Sequence, residues 1–396
     1  MKKFRIGIMG GLVSNENMGC VALTYSLINI LEKIKKNLGY EFHYTIFEYE
    51  YIEHCYSSLS QKLQIDKSRL HFSKIGFYEN EDWKLYIKTI SEKVKMVNNI
   101  KKCDLVIDIT QGDSFTDIYG MGRFSSLTHV KELVEKFNIP LILAPQTYGP
   151  FLSDAAKNKA QSVIENALLV MARDKESAEY VRSFCKKDVV VTTDLAFGLP
   201  FDKKNKSKTH KLKIGLNPSG LLVSSRTEKT KLSTTLAADY DVYIKELTCK
   251  ILEHSNYELH IISHVGDDAS EMFSDMDGVI VHKRFKDPIE AKNIIAQMDV
   301  FIGSRMHATI GAFSAGVATI PVAYSRKFSG LYHSLGYDNV VDLTSLETEA
   351  ALDYTYSLLE RYEQLEIEVK EGLLKVESAY NIIQSSLECV MNKIWN

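Results

Sequence analysis

Residues Asp299–Tyr324 read DVFIGSRMHATIGAFSAGVATIPVAY, and their pattern decides the fold class. Val300–Ile302 is a short apolar run, the length of a buried strand. Met306–Ala315 mixes small and apolar residues at helical spacing. Gly316 supplies a helix stop, and Val317–Ala323 resumes as a β-branched strand. Strand, helix and strand in that order make one unit of a parallel sheet. Ser304, Arg305 and His307 fall on the turn between the first strand and the helix. In open α/β sheets ligands bind at this place, outside the carboxyl ends of the strands. The N–H groups of a helix start also favour an anion there. The turn thus offers a hydroxyl, a fixed cation and a titratable imidazole within reach of an anionic ligand.

Working outward, the same alternation recurs on both sides. Upstream, Phe4–Met9, His43–Phe47, Leu105–Ile109, Pro140–Ala144, Leu168–Met171 and Val189–Val191 read as strands. Helical patterns at about 20–37, 124–137 and 154–166 separate them, and Asp174 with Ser177 is placed to cap a further helix. Gly10-Gly11 closes the first strand, but the spacing is not GxGxxG, so a dinucleotide reading is weak. Residues 51–100 break the pattern: they are aromatic and charged, with a helical stretch near Trp83–Asn98, and read as an insertion or a lid. Residues 201–211, FDKKNKSKTHK, are polar and basic without apolar periodicity and read as a linker. A second α/β series begins at Leu212–Leu216. It continues through a long polar loop, a helix over about 240–254, and Leu259–Ser263 leading into His264. Val279–Val281 and a helix starting at Pro288 follow. Residues 347–396 read as helical throughout and as packing as a C-terminal pair. The expectation is two doubly wound, Rossmann-like domains facing across a cleft, 1–200 and 212–346, joined by 201–211 and followed by C-terminal helices at 347–396.

Composition narrows the function classes. A chain of 396 residues exceeds what one core usually serves. With 48 basic and 51 acidic residues the net charge is -3, which gives no footprint for nucleic acid. The six cysteines form no CxxC pair, which argues against a zinc site or a disulfide scaffold and fits a reducing compartment. MKKFRIGIMGGL at the start reads as a first strand and not as a signal peptide. No apolar run approaches the ~18 residues of a membrane span. Peripheral membrane contact and a homo-oligomer both stay open.

Six blocks occur in order: NMGCVAL near the start, GDSFTDIYG, APQTYGPF, ARDKESAEYV, TDLAF, and IGSRMHATIGAFSAGVATIPVAYSRKFSGL. Together they resemble the polysaccharide pyruvyl transferase family, along most of the chain. The serine, arginine, variable residue and histidine after a buried strand are the most specific part. Two departures are mild: Gln111 stands where many members carry glycine, and Met306 where leucine is usual. The resemblance implies a fold similar to the GT-B glycosyltransferases. The implied reaction moves a carboxyethylidene group from phosphoenolpyruvate to two hydroxyls of one sugar, without metal or organic cofactor. The sugar acceptor belongs to a surface polysaccharide or its lipid-linked precursor, which implies a cytoplasmic enzyme, with contact at the inner membrane face left open.

The residues suit that chemistry. Phosphoenolpyruvate carries a phosphate and a carboxylate, and arginine binds either one bidentately. Arg305 is the candidate for one anionic end, with Ser304 beside it. Arg173, at a strand end of the N-terminal half, is placed for a second once the cleft closes, and Lys327 adds positive charge. His307 is the candidate acid, base or phosphate-protonating group. Asp194 and Asp113 are carboxylates at strand ends, either of which could orient a sugar hydroxyl or act as base. Asp194 reads first as a structural turn or cap residue before Leu195-Ala196-Phe197, and Arg173 reads equally as a local capping partner. Asn17, Gly19 and Gly112 shape turns near the ligand. Asn17, Asp113 and Tyr148 are expected near the acceptor. His264 is a further substrate-binding candidate, and with Asp267 and Asp268 it reads either as a metal site or as a solvated loop. Two rival readings use the same frame: a glycosyltransferase taking a nucleotide sugar, and a non-catalytic sugar-binding relative. The first is disfavoured because no carboxylate lies between Val300 and Tyr324 to hold a ribose.

Overall fold

The computed structural model describes residues 2–75, 83–202, 211–223, 236–266 and 272–395. Most of the expected 201–211 linker lies outside these residues, as do Asp267 and Asp268. The chain forms two compact units. The first comprises Met1–Asn15, Cys20–Gly198 and Ala379–Asn396, the second Glu16–Gly19 and Leu199–Ser378.

The first unit is built on strands β1 (Lys3–Met9), β2 (Glu41–Glu48), β3 (Leu70–Lys74), β4 (Leu105–Asp108), β5 (Leu141–Gln146), β6 (Leu169–Ala172) and β7 (Val190–Val191). Among the described residues they form one sheet in the order β3-β2-β1-β4-β5-β6-β7, with every pairing parallel. The second unit holds β8 (Leu212–Asn217), β9 (Tyr257–Ile261), β10 (Val279–Val281), β11 (Val300–Gly303), β12 (Ala318–Ala323) and β13 (Val341–Asp342). Its order is β10-β9-β8-β11-β12-β13, again parallel throughout. In both sheets the order reverses beside the first strand, between β1 and β4 and between β8 and β11. These are the switch points at which a doubly wound sheet opens a crevice for ligands.

The strands at the switch points are apolar because helices cover both faces. β4 and β11 are buried at every position. Complete burial of Val300, Phe301 and Ile302 contributes about 1.5–3 kcal/mol for each side chain. Helix starts follow the capping rule: Ser153, Asp174, Asp239 and Asp287 each accept a backbone N–H of the helix they precede. Asp174 accepts from Ser177, the pair read from the sequence, at 2.6 Å.

Two expectations are corrected. Residues 51–100 are neither insertion nor lid. Helix Glu53–Leu63, strand β3 and helix Trp83–Lys101 continue the regular alternation and supply the sheet's outer strand. The segment looked irregular because β3 is an edge strand, buried at only two of its five residues. The C-terminal residues do form two helices, Thr348–Glu360 and Tyr362–Trp395, but they do not stand as one terminal pair. Residues 379–396 group with the first unit, where Trp395 stacks on Phe4 at 4.0 Å and Tyr380 donates to the carbonyl of Leu195 at 2.8 Å.

Candidate functional site

The second unit gathers its chemistry at the switch point between β8 and β11. β11 ends at Gly303, and Arg305 is the N-cap residue of helix Met306–Ser314. Among the described residues the N-cap side chain makes no capping hydrogen bond to this helix, whose start carries the positive end of the helix dipole. Ser304 and Arg305 are both buried, at 1% and 9% exposure, and His307 is half-buried. The Ser304 hydroxyl accepts from Tyr240 at 3.0 Å, and the Tyr240 oxygen in turn accepts the Ser219 N–H at 2.8 Å. That arrangement leaves the Ser304 proton pointing away from Tyr240, able to donate elsewhere.

His264 joins this group from the end of β9. It is buried at 5% exposure. Burial first, then the charges of His307 and Arg305, push its pKa down to about 3. Its imidazole is therefore neutral at ordinary pH and adds no positive charge to the group. Lys327 lies half-buried in the first turn of helix Arg326–Ser334, beyond β12, the strand next to β11.

Residues 16–19 follow β1 in the chain but pack against this site. The Met18 N–H donates to the His264 carbonyl at 3.1 Å. The Asn17 side chain accepts the Gly19 N–H at 3.0 Å. Glu16 pairs with Arg284. Gly19 lies on the His307 side chain so closely that an added Cβ would sit 2.5 Å from Nδ1 and 2.6 Å from Cγ of the ring. Asn17 and Gly19 were expected on the N-terminal side. The structure groups them with Arg305, His307 and His264 instead, because the backbone of 16–19 is bonded to the end of β9.

The first unit collects a different set. Arg173, at the end of β6, is 2% exposed and pairs with the fully buried Asp194 at 2.9 Å. Asp194 also accepts the Ala196 N–H at 2.8 Å. Burial, opposed by the carboxylates of Asp194, Asp113 and Asp174, leaves the Arg173 pKa raised. Three carboxylates around one guanidinium make this a net acidic cluster, the opposite of a pocket awaiting an anion. A second buried pair, Lys131 with Asp108 at 3.1 Å, lies at the end of β4. Gly112 has φ +84° on the loop after β4, and Gln111 and Thr110 before it also have positive φ, +52° and +34°. Asp113 on this loop is half-buried and accepts from Tyr119 at 3.3 Å. Tyr148, expected near a sugar, is a core residue: 2% exposed, its hydroxyl is spent on the Met171 carbonyl at 3.1 Å.

The candidates therefore separate into two groups. Ser304, Arg305, His307, His264, Asn17 and Gly19 come together in the second unit, with Lys327 on the neighbouring strand end. Arg173, Asp194, Gly112 and Asp113 lie in the first. Sequence reasoning missed Asn217 and Tyr240. Asn217 closes β8 and is fully buried. Its side chain donates to the Ile262 carbonyl at 2.7 Å and accepts the Arg305 N–H at 3.1 Å. The signal was present in Asn217-Pro-Ser-Gly at a strand's carboxyl end, but it reads as an ordinary turn. Among the described residues, no group of three or more His, Cys, Asp or Glu is arranged to hold a metal ion.

Two parallel-sheet Rossmann-like units with polar and charged groups at their switch points define a chain of the GT-B-like class. Solved structures similar to it agree. A Listeria monocytogenes protein described as a UDP-N-acetylglucosamine 2-epimerase has a TM-score of 0.64 at 11% identity, over 99% of this chain and 97% of its own. The UDP-GlcNAc 2-epimerase from Neisseria meningitidis bound to UDP-GlcNAc scores 0.59 at 11% identity, over 98% and 99%. A trehalose 6-phosphate synthase from Burkholderia multivorans scores 0.54 at 8% identity, over 100% and 99%. At these identities the likeness is one of fold. No curated protein matches the chain in sequence. The polysaccharide pyruvyl transferase model matches residues 17–326, most of the chain, and the chain belongs to that family.

Proposed function

We propose that this chain transfers a carboxyethylidene group from phosphoenolpyruvate to two hydroxyls of one sugar, releasing phosphate. The acceptor is a surface polysaccharide or its lipid-linked precursor. The observation that carries the reading is the second unit's grouping of Arg305, His307, neutral His264 and Ser304 at the start of a helix. A small ligand with two anionic ends is what such a set would hold. Arg305 forks onto one oxyanion, Ser304 donates from its hydroxyl, and the helix start favours negative charge. His264 stays neutral, so it adds a hydrogen bond without repelling a proton from His307.

In the proposed reaction the enol methylene takes a proton and becomes a methyl group, and the central carbon turns electrophilic. One sugar hydroxyl adds to that carbon, the carbon–phosphate oxygen bond breaks, and the second hydroxyl closes the ketal. Of the two hydroxyl protons lost, one balances the new methyl group and the other leaves on phosphate. His307 is the group proposed to move a proton between these positions. The reaction so written uses no metal or organic cofactor. Among the described residues no helix is long and apolar enough to cross a membrane. A lipid-linked acceptor would accordingly be met by peripheral contact.

The test is a panel of sugar and lipid-linked sugar acceptors incubated with the protein and phosphoenolpyruvate. Phosphate release and a pyruvate ketal on one acceptor, seen by mass spectrometry, are expected. Phosphoenolpyruvate left intact with every acceptor, alongside consumption of a nucleotide sugar in a parallel panel, would favour the glycosyltransferase reading instead.

A further inference from the structure

We propose that Asn217 is a positioning residue that sets Arg305 and His264 around one shared ligand. The proposal rests on the reading of the second unit as an anion site and adds a residue to it.

Asn217 occupies the last position of β8, opposite Gly303 of β11 in register. β8 runs between β9 and β11, and the two groups to be aligned leave from those flanking strands. His264 lies two residues beyond Ile262, and Arg305 two beyond Gly303. The Asn217 carboxamide reaches both sides at once: Nδ2 donates to the Ile262 carbonyl at 2.7 Å, and Oδ1 accepts the Arg305 N–H at 3.1 Å. Its backbone carbonyl accepts the Ser304 N–H at 3.0 Å. One fully buried residue thus fixes where the chain leaves β9 and where it leaves β11.

The side-chain type matters. A carboxamide has a donor and an acceptor held in one plane, which is what a carbonyl on one side and an N–H on the other require. Aspartate would keep the acceptor and set an oxygen against the Ile262 carbonyl. Alanine would remove both of these hydrogen bonds from a buried position. At the opposite, amino end of the same strands Asp299 accepts the Lys213 N–H at 2.9 Å, so a brace between strands also occurs away from the candidate ligand, and kinetics measured against a structural control separate the two roles.

The experiment compares wild type, Asn217→Ala, Asn217→Asp and Tyr243→Phe. Tyr243 lies in the same unit and shares a buried hydrogen bond with Thr355 at 2.8 Å, so its loss reports a purely structural cost. Expected is a 10- to 100-fold fall in kcat/KM for phosphoenolpyruvate in Asn217→Ala, with the acceptor KM unchanged. Asn217→Asp should be intermediate, and Tyr243→Phe should keep wild-type kinetics at a comparable loss of melting temperature. Wild-type kinetics in Asn217→Ala, or an equal loss in Tyr243→Phe, overturns the proposal. Should the wild-type protein turn over no phosphoenolpyruvate, the proposed reaction fails. Asn217 is then judged by calorimetric titration with inorganic phosphate: weaker binding in Asn217→Ala than in Tyr243→Phe supports positioning, and equal binding overturns it.

Discussion

His264 and His307 show how one residue type serves two ends in one site. His264 is buried and neutral, and His307 is half-buried under Gly19. The first carries a stability signature. Unfolded, an imidazole titrates near 6.5; in the folded chain His264 does so at about 3. Between these values the unfolded chain binds the additional proton, so stability is present above about pH 6.5 and is lost as pH falls toward 3. The loss is on the order of a few kcal/mol. Denaturant midpoints measured at pH 7 and pH 4.5 should differ more in wild type than in His264→Asn; an equal drop in both would show that His264 is not the acid-sensitive group. The second carries a steric signature. Gly19→Ala would bring a methyl group into the His307 ring. If the ring moves by about 1 Å to make room, kcat falls on the order of 100-fold with little change in melting temperature. Wild-type turnover by Gly19→Ala would mean that the ring's position is not critical.

The turn after β4 carries Gly112 and Asp113 and the turn after β11 leads through Ser304 and Arg305 to His307, and the two turns differ in how readable they were. The β11 turn was legible because nothing in it conflicts: a continuous apolar run, then Ser-Arg-Met-His, then small residues at helical spacing. The β4 turn carried a clue of another kind. Gln111 departs from the glycine of many family members, and the backbone explains that glycine, for Gln111 sits at φ +52° between Thr110 and Gly112, also left-handed. Gln111→Gly should therefore stabilise the protein by about 0.5–1 kcal/mol, even though an exposed hydrogen bond from Arg123 at 2.9 Å is lost. A thermal melt with no gain would place the strain elsewhere in the loop. Asn217, Tyr240 and the Arg173–Asp194 pair were not legible as partners. Each depends on a contact between residues 21 to 88 positions apart, and no local pattern encodes that. Tyr148 misled for the same reason, since a tyrosine at a strand end looks alike whether its hydroxyl faces a ligand or a backbone carbonyl.

At the scale of the molecule, the two units repeat one plan. Each sheet winds outward in both directions from its first strand, and the repetition reaches individual side chains. In the first unit Glu41 bonds His43 at 2.9 Å, and His43 meets His71 from the neighbouring edge strand at 3.4 Å. In the second, Glu258 bonds His260 and His260 bonds His282, both at 2.9 Å. These polar ladders lie beside β3 and β10, the edges where an apolar strand would invite pairing with another chain. A match of three residues is invisible to any search for a repeat in sequence, whereas the alternation of strand and helix is visible along most of the chain outside residues 51–100. What the units do not share is charge at the carboxyl ends of their strands: an acidic cluster around Arg173, after β6, in the first, and Arg305 with two imidazoles beside β8 and β11 in the second. The central claim is that this second set holds phosphoenolpyruvate. Calorimetric titration of phosphoenolpyruvate into wild type and into Arg305→Ala addresses it most directly. Saturable binding to wild type that disappears in Arg305→Ala is the predicted result; equal binding to both proteins, or none to wild type, would contradict it.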